Sequence, residues 1–121
     1  DANFNKIESL SYKGVGNIWV LGYKEDWTYD SSSNLITHIS YQIQGSTSIN
    51  QFKKEYTYNS SNLETSKAEY YWANGGWYHG MKTERGYDAN GNETLNIVYY
   101  GDATIWEPGS KGVITYTSFN M

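Results

Sequence analysis

The chain has 121 residues, enough for one domain, and its apolar content is dominated by 13 Tyr, five Trp and three Phe. Its net charge is −4 and its basic residues form no run, so the footprint expected of a nucleic-acid-binding protein is missing. The absence of Cys excludes disulfides, thiol catalysis and thiolate metal sites.

No apolar stretch approaches the roughly 20 residues that a membrane helix needs, so no transmembrane segment is predicted. The sequence begins with Asp1 rather than Met. We interpret the chain as either a processed mature protein or a domain excised from a longer one.

Residue types recur at intervals of 29, which indicates a repeat architecture. The recurring positions are Tyr12, Tyr41, Tyr70 and Tyr99; Tyr29, Tyr58, Tyr87 and Tyr116; Lys24, Lys53, Lys82 and Lys111; and Trp19, Trp77 and Trp106, with Ser48 in the remaining slot. We therefore predict a single domain, 1–121, of four repeats spanning approximately 3–31, 32–60, 61–89 and 90–118.

Each repeat is predicted to form a β-hairpin. In the second repeat, residues 35–41 and 52–58 alternate in polarity and are rich in β-branched and aromatic residues, as in strands. Polar turns at 30–34, 59–62 and 88–92 recur at the same interval, and Asn74-Gly75-Gly76 marks the other end of the third hairpin. Short loops favour pairing of consecutive strands, so about eight strands should form an up-and-down antiparallel meander.

Loop length predicts the faces of the sheet. If Tyr29 lies opposite Leu35, simple alternation places Trp27, Tyr29, Leu35, Thr37, Ile39 and Tyr41 on one face, and His38, Ser40 and Gln42 on the other. The same rule places Trp19 with Leu21, Tyr23, Trp27 and Tyr29. The loop 59–62 is read as one residue short, which predicts a bulge between Leu63 and Tyr70.

An aromatic face must be covered. We favour a curled, barrel-like all-β sheet over an open single-layer sheet, and pairing with a second copy is a further way to cover the rings. Pro108, Gly109 and Gly112 suggest a protected edge on the last strand.

The Trp series offers a candidate ligand platform. Equivalent positions in successive hairpins lie two strands apart, roughly 9–10 Å, which is near the length of two sugar rings. The candidate ligand-binding residues are Trp19, Trp77, Trp106, Tyr71 and Tyr100. The alternative is that these Trp side chains close one end of the core.

The other candidates have simpler structural interpretations. The Lys series, with Asp26, Glu55 and Glu84 two residues further on, fits a solvated face better than a polyanion-binding ladder. The segment Asp88–Asn92 resembles the start of a calcium loop, but the twelfth position is Tyr99 instead of Glu, so a self-capping turn is favoured. His38 and His79 occupy different repeat positions. No catalytic residue, metal site or cofactor is predicted.

The segment Tyr70-Tyr-Trp-Ala-Asn-Gly-Gly-Trp77, followed by Lys82, Glu84, Tyr87–Asn92 and Tyr99-Tyr100, resembles tandem Tyr- and Trp-rich repeats of secreted or surface proteins of the Bacteroidetes phylum. The turn is also similar to that of YD repeats. The resemblance covers the chain and is sharpest at 70–100. It implies an exported location (secreted, periplasmic or cell surface) and an all-β repeat fold, and it transfers no catalytic residue.

The sequence thus favours a non-catalytic exported binding or adhesion module whose partner is a glycan, recognised through aromatic side chains, or another surface protein. The alternative is a structural or spacer domain without a small-molecule ligand. An enzyme that acts on glycans is a third hypothesis.

Overall fold

The computed structural model describes residues 3–117, which form eight strands in one sheet. The strands are β1 (Glu8–Val15), β2 (Ile18–Tyr29), β3 (Leu35–Gln44), β4 (Thr47–Tyr58), β5 (Glu64–Ala73), β6 (Gly76–Tyr87), β7 (Glu93–Gly101) and β8 (Trp106–Val113). Their spatial order is their chain order, and every neighbouring pair is antiparallel. The predicted all-β meander is therefore confirmed.

The sheet is open and one layer thick. Within residues 3–117, β1 pairs only with β2 and β8 pairs only with β7, which leaves two free edges. The barrel-like closure favoured by the sequence is thus wrong, and the open single-layer form is correct. Among the described residues only Ala68 (7% exposed) and Ser40 (4%) are buried, so apolar contact is divided between two half-covered faces.

Two β-bulges recur at the 29-residue interval. The extra residue is Gly22, Gln51, Gly80 or Gly109 in the even-numbered strands, and Ile36, Thr65 or Thr94 in β3, β5 and β7. Because side chains alternate with a period of two, one extra residue reverses the face of every residue beyond it. The bulge predicted between Leu63 and Tyr70 is confirmed, but it is one of a series.

The bulges overturn the predicted grouping of the faces. Tyr29 lies opposite Leu35 as expected, but the bulge at Ile36 then places Thr37 opposite Thr28. Thr37, Ile39 and Tyr41 therefore lie on the face opposite Tyr29 and Leu35. His38 lies on the Trp27 side, and its ring stacks on Trp27 with 4.8 Å between centroids.

Each face therefore carries its own tyrosine series. The lysine–tyrosine face carries Tyr12, Tyr41, Tyr70 and Tyr99 together with Lys24, Lys53 and Lys82; the clamp face carries Tyr29, Tyr58 and Tyr87. The bulge at Gly22 places Trp19 and Leu21 on the lysine–tyrosine face. The predicted grouping of Trp19 with Tyr23 and Tyr29 is wrong for the same geometric reason.

On the clamp face, tyrosine hydroxyls fasten adjacent strands. Each hydroxyl donates a hydrogen bond to a backbone carbonyl 23 residues earlier. The pairs are Tyr29 to Lys6 (2.8 Å), Tyr58 to Leu35 (2.7 Å), Tyr87 to Glu64 (2.5 Å) and Tyr116 to Glu93 (2.8 Å). A buried phenol needs a polar partner, and this contact supplies one while the ring covers the strand beneath it.

The turns between hairpins share one pattern of hydrogen bonds, in which an Asp or Asn side chain binds the backbone of the residues that follow it. The Oδ1 atom of Asp30 accepts hydrogen bonds from the backbone N–H groups of Ser32 and Asn34, both at 2.9 Å. Asn59 and Asp88 repeat this geometry with their own following residues. Asn59 closes on Leu63 as Asp30 closes on Asn34, so the third loop has the same length as the others and is not a residue short.

These turns predict a specific acid sensitivity. Hydrogen bonds from the backbone at Asn34 and Asn92 hold the pKa of Asp30 and of Asp88 below the ordinary value. A carboxyl whose pKa is lowered by folding stabilises the fold fully above its unfolded pKa of about 3.9, and that stabilisation is lost as the pH falls through the folded pKa.

We expect an Asp30→Asn/Asp88→Asn double variant to remain folded at pH 7, because Asn59 already makes the same bonds as an amide. Its melting temperature should fall less steeply than that of the wild type between about pH 5 and pH 2. Thermal unfolding followed by circular dichroism across this range measures the difference. Parallel loss of stability in the two proteins would contradict the assignment.

Candidate functional site

Lysine side chains lie over tyrosine rings along the lysine–tyrosine face. The ammonium–centroid distances are 5.8 Å for Lys24 over Tyr41, 4.7 Å for Lys53 over Tyr70 and 5.6 Å for Lys82 over Tyr99. The register explains the series, because each lysine lies directly opposite its tyrosine on the neighbouring strand. Each pair thus joins the second strand of one hairpin to the first strand of the next.

We call this series of Lys–Tyr pairs the lysine–tyrosine ladder, and in it each ammonium group also lies beside a carboxylate. The lysine ammonium lies 3.4 Å from Asp26 for Lys24, 3.0 Å from Glu55 for Lys53 and 3.0 Å from Glu84 for Lys82. The adjacent negative charge of Asp26 raises the pKa of Lys24. The predicted shared face of the Lys series and its acidic neighbours is therefore confirmed, with each ammonium held between a carboxylate and a ring.

The largest group of rings on this face, the Tyr70 cluster, consists of Lys53, Tyr70, Trp77, His79 and Trp106. Trp106 packs against His79 at 4.5 Å and meets Tyr70 edge-on at 5.7 Å, and Tyr70 lies 5.3 Å from His79. The ammonium of Lys53 lies 4.7 Å from the Tyr70 centroid and 4.8 Å from that of Trp77. The cluster thus spans β4, β5, β6 and β8.

Gly101 makes this reach across the sheet possible. It lies opposite Trp106 at the end of β7, and a Cβ added there would overlap the Cβ and the carbonyl group of His79. Because position 101 has no side chain, the indole of Trp106 can cross β7 and contact residues of β5 and β6.

The chemistry of the Tyr70 cluster is that of packed rings around one cation. Burial, reinforced by the charge of Glu55, raises the pKa of Tyr70, so its phenol is neutral at physiological pH. The Nδ1 atom of His79 is enclosed and has no hydrogen-bond partner among residues 3–117. Within the described residues this nitrogen therefore makes no hydrogen bond to a hydroxyl, as a base that activates a nucleophile would.

The five predicted ligand-binding residues do not form one platform. Trp19, Trp77 and Trp106 lie on the lysine–tyrosine face, whereas Tyr71 and Tyr100 lie on the clamp face. Trp77 and Trp106 are half-buried in the Tyr70 cluster, and Trp77 also meets Trp72 edge-on at 5.2 Å.

Trp19 stands apart from the other two Trp side chains and is 76% exposed. Its ring lies over Gly14, at 3.5 Å from the position of an added Cβ, beside an open cleft lined by Gly14, Gly16, Asn17 and Ile18. On the clamp face, Tyr71 stacks on Tyr78 at 5.6 Å. Tyr71 and Tyr100 are 47% and 57% exposed.

Sequence reasoning did not anticipate that Lys53, Tyr70 and His79 belong to one group. The Lys and Tyr series were visible, but their contact depends on the register across the turn at 59–63. A usable signal was the constant offset of 17 residues from each lysine to the tyrosine that it covers.

The described part of the chain contains no grouping of three or more His, Cys, Asp or Glu side chains that fits a metal ion. The segment Asp88–Asn92 forms the predicted self-capping turn. Residues 3–117 include no helix of the length and apolarity needed to cross a membrane.

No protein-family model matches the sequence, and no curated protein matches it significantly. Similar folds occur among solved structures. A protein of unknown function from Bacteroides fragilis is 12% identical, with a TM-score of 0.58, over 94% of this chain and 96% of that one.

Two DUF3836 family proteins give lower scores. The one from Bacteroides vulgatus is 10% identical, with a TM-score of 0.49, over 91% of this chain and 100% of its own. The one from Parabacteroides distasonis is 17% identical, with a TM-score of 0.46, over 74% of this chain and 90% of its own. At these identities the likeness to the Bacteroides fragilis protein concerns the fold alone.

Proposed function

We propose that this chain is a non-catalytic structural module of an exported bacterial surface protein. The observation that carries the proposal is the use of the recurring side chains. Lysines cover tyrosine rings of the neighbouring strand, tyrosine hydroxyls bind neighbouring carbonyls, and Asp or Asn side chains close the turns. Side chains engaged in this way hold strands together and leave few groups free to recognise a ligand.

The exported location rests on the resemblance of residues 70–100 to Tyr- and Trp-rich surface repeats. The absence of a catalytic role is supported by the Tyr70 cluster, in which His79 packs against Trp106 and its Nδ1 atom has no hydrogen-bond partner within the described residues. The open sheet of the described residues, which is one layer thick, suits a spacer that presents or joins other parts of a surface assembly.

The experiment is a binding screen against glycans and polysaccharides, combined with melting temperatures measured in their presence. A structural module gives no array signal and no shift, because only a ligand that binds the folded state raises its stability. A polysaccharide that raises the melting temperature of the wild type in a dose-dependent way would overturn the proposal.

Carbohydrate binding through exposed aromatic rings is the second candidate, and the exposure of Trp19 favours it. An open indole beside a cleft is a suitable stacking surface for a sugar. Trp19 lies four strands from Trp77, roughly 19 Å, so this site would be local rather than a row of three Trp side chains.

If the screen finds a ligand, Trp19→Ala should abolish binding. Tyr100→Ala, which removes an exposed aromatic side chain from the opposite face, is the matched control and should retain binding. The reverse pattern would move the carbohydrate site to the clamp face.

A further inference from the structure

One free edge of the sheet in residues 3–117 presents an unpaired lysine, and the other presents an unpaired tyrosine of the same series. Three lysines of the series lie over the tyrosine of the next hairpin, whereas Lys111 on β8 contacts no ring and no carboxylate within residues 3–117. On β1, at the opposite edge, Tyr12 is 54% exposed, and no lysine in the described part of the chain lies over its ring. Each edge thus presents the group that the other lacks.

The backbone of the two edges is complementary in the same way. The second strand of each of the first three hairpins pairs with the first strand of the next hairpin through its last seven residues, as Tyr23–Tyr29 of β2 do with β3. The equivalent residues of β8 and its extension are 110–116, and nothing in the described chain pairs with their outer side. Pro108 lies before this segment, so it does not block the edge.

We propose that the β8 edge of one molecule pairs with the β1 edge of a second copy of this chain. This inference rests on the structural role proposed above, and it identifies the binding partner as another copy of the same chain. The register follows from the β2–β3 pair: Lys111 lies over Tyr12 of the second copy as Lys24 does over Tyr41, and Val113 lies opposite Leu10 as Asp26 does opposite Ile39.

This contact joins two different surfaces, so a pair formed in this way leaves one free edge at each end. Such a heterologous interface adds further copies, either into an open array or into a ring where the rotation between copies closes. The eight-stranded sheet would then continue from copy to copy with an unbroken lysine–tyrosine ladder. Unpaired edge strands are templates for this kind of strand addition.

Disulfide trapping tests the register, because the chain has no cysteine of its own. The N–H of Ile114 donates to Thr94 on β7, as the N–H of Trp27 donates to Ile7. Ile114 would therefore face the second copy at a non-hydrogen-bonded position, where opposed side chains are closest. Its partner there is Ser9, the equivalent of His38 opposite Trp27.

Ile114→Cys and Ser9→Cys proteins, mixed under mild oxidation, should form a cross-linked heterodimer. The matched control is Ile114→Cys mixed with Lys13→Cys, which lies on the same face of β1 but four residues out of register. Circular dichroism checks that each variant is folded, and folded wild type is examined by sedimentation for association that rises with concentration.

Equal yields from the matched and mismatched pairs, or no concentration-dependent association of the wild type, would overturn edge pairing. In that case a chain that still binds no polysaccharide keeps its structural role. Polysaccharide binding would instead remove the structural role and, with it, the basis of this inference.

A second pair of variants distinguishes a lysine that acts in association, at the edge of the sheet, from one that acts in stability, inside it. Lys111→Ala should weaken association about two- to fivefold while leaving the melting temperature unchanged, because an exposed cation–π contact contributes that much to an equilibrium constant. Lys82→Ala removes the equivalent contact inside the sheet and should lower the melting temperature without changing association. Equal effects of the two variants on association would contradict the proposed edge contact.

Discussion

Replacing Tyr70 with alanine should lower the free energy of unfolding by about 2–3 kcal/mol, below the full range for a core aromatic because the ring is only partly buried. The ring contacts Lys53, His79 and Trp106, which belong to three different strands. Its removal therefore opens a cavity that no single side chain can fill. Urea unfolding followed by circular dichroism measures the loss.

Two controls make this result specific. Tyr70→Phe keeps the ring and should stay within about 0.5 kcal/mol of the wild type. Tyr99→Ala removes the equivalent ring of the next hairpin, which contacts Lys82 and the Glu84 carboxylate and has no aromatic ring stacked against it among the described residues. This variant should cost clearly less than Tyr70→Ala. Equal losses at Tyr70 and Tyr99 would show that the Tyr70 cluster adds nothing to the ladder.

Gly101→Ala should lower the free energy of unfolding by about 2–3 kcal/mol, through overpacking instead of a cavity. The new Cβ would overlap the backbone of His79, and a backbone atom cannot move aside as a flexible side chain does. The end of β7 must therefore shift, and Trp106 must leave its place over His79. Near-ultraviolet circular dichroism reports the changed Trp environment.

Gly76→Ala is the matched control for Gly101→Ala. Gly76 also lies at the end of a strand, its φ lies outside the left-handed region, and nothing is within 4 Å of an added Cβ. This variant should be neutral or slightly more stable than the wild type, because alanine restricts the unfolded chain. A neutral Gly101→Ala variant would contradict the crossing of Trp106 over β7.

The strands, the turns and their order were predictable because their signals are local. Alternation over residues 35–41 and 52–58 predicts strands, and Asp or Asn at 30, 59 and 88 predicts the turns that the structure contains. Local signals of this kind do not depend on which strand lies opposite, so the predicted strands and turns remain correct even when the register between strands is assigned wrongly.

The faces were not predictable by alternation because each interval of 29 residues contains two bulges. One kind was visible in principle: Gly22, Gly80 and Gly109 recur in the middle of strands, where an isolated glycine indicates a bulge. The other kind falls on Ile36, Thr65 and Thr94, ordinary strand residues that carry no such mark.

This error in the faces also explains the wrong barrel prediction. Closure is expected when the two tyrosine series share one face, because that face would have to be hidden. The bulges divide the rings between both faces, where lysine stems and backbone cover them in part. Neither face then needs a second layer, and the sheet remains open.

Cross-strand NOEs in the folded chain test the central claim, that one open sheet with paired bulges carries its two tyrosine series on opposite faces. The account predicts that His38 lies beside Trp27, that Tyr41 lies beside Lys24, and that Tyr58 shows contacts to Leu35 and none to Tyr41. Contacts that place Thr37 beside Trp27, or β1 beside β8 within one isotope-labelled molecule diluted in unlabelled protein, would contradict it.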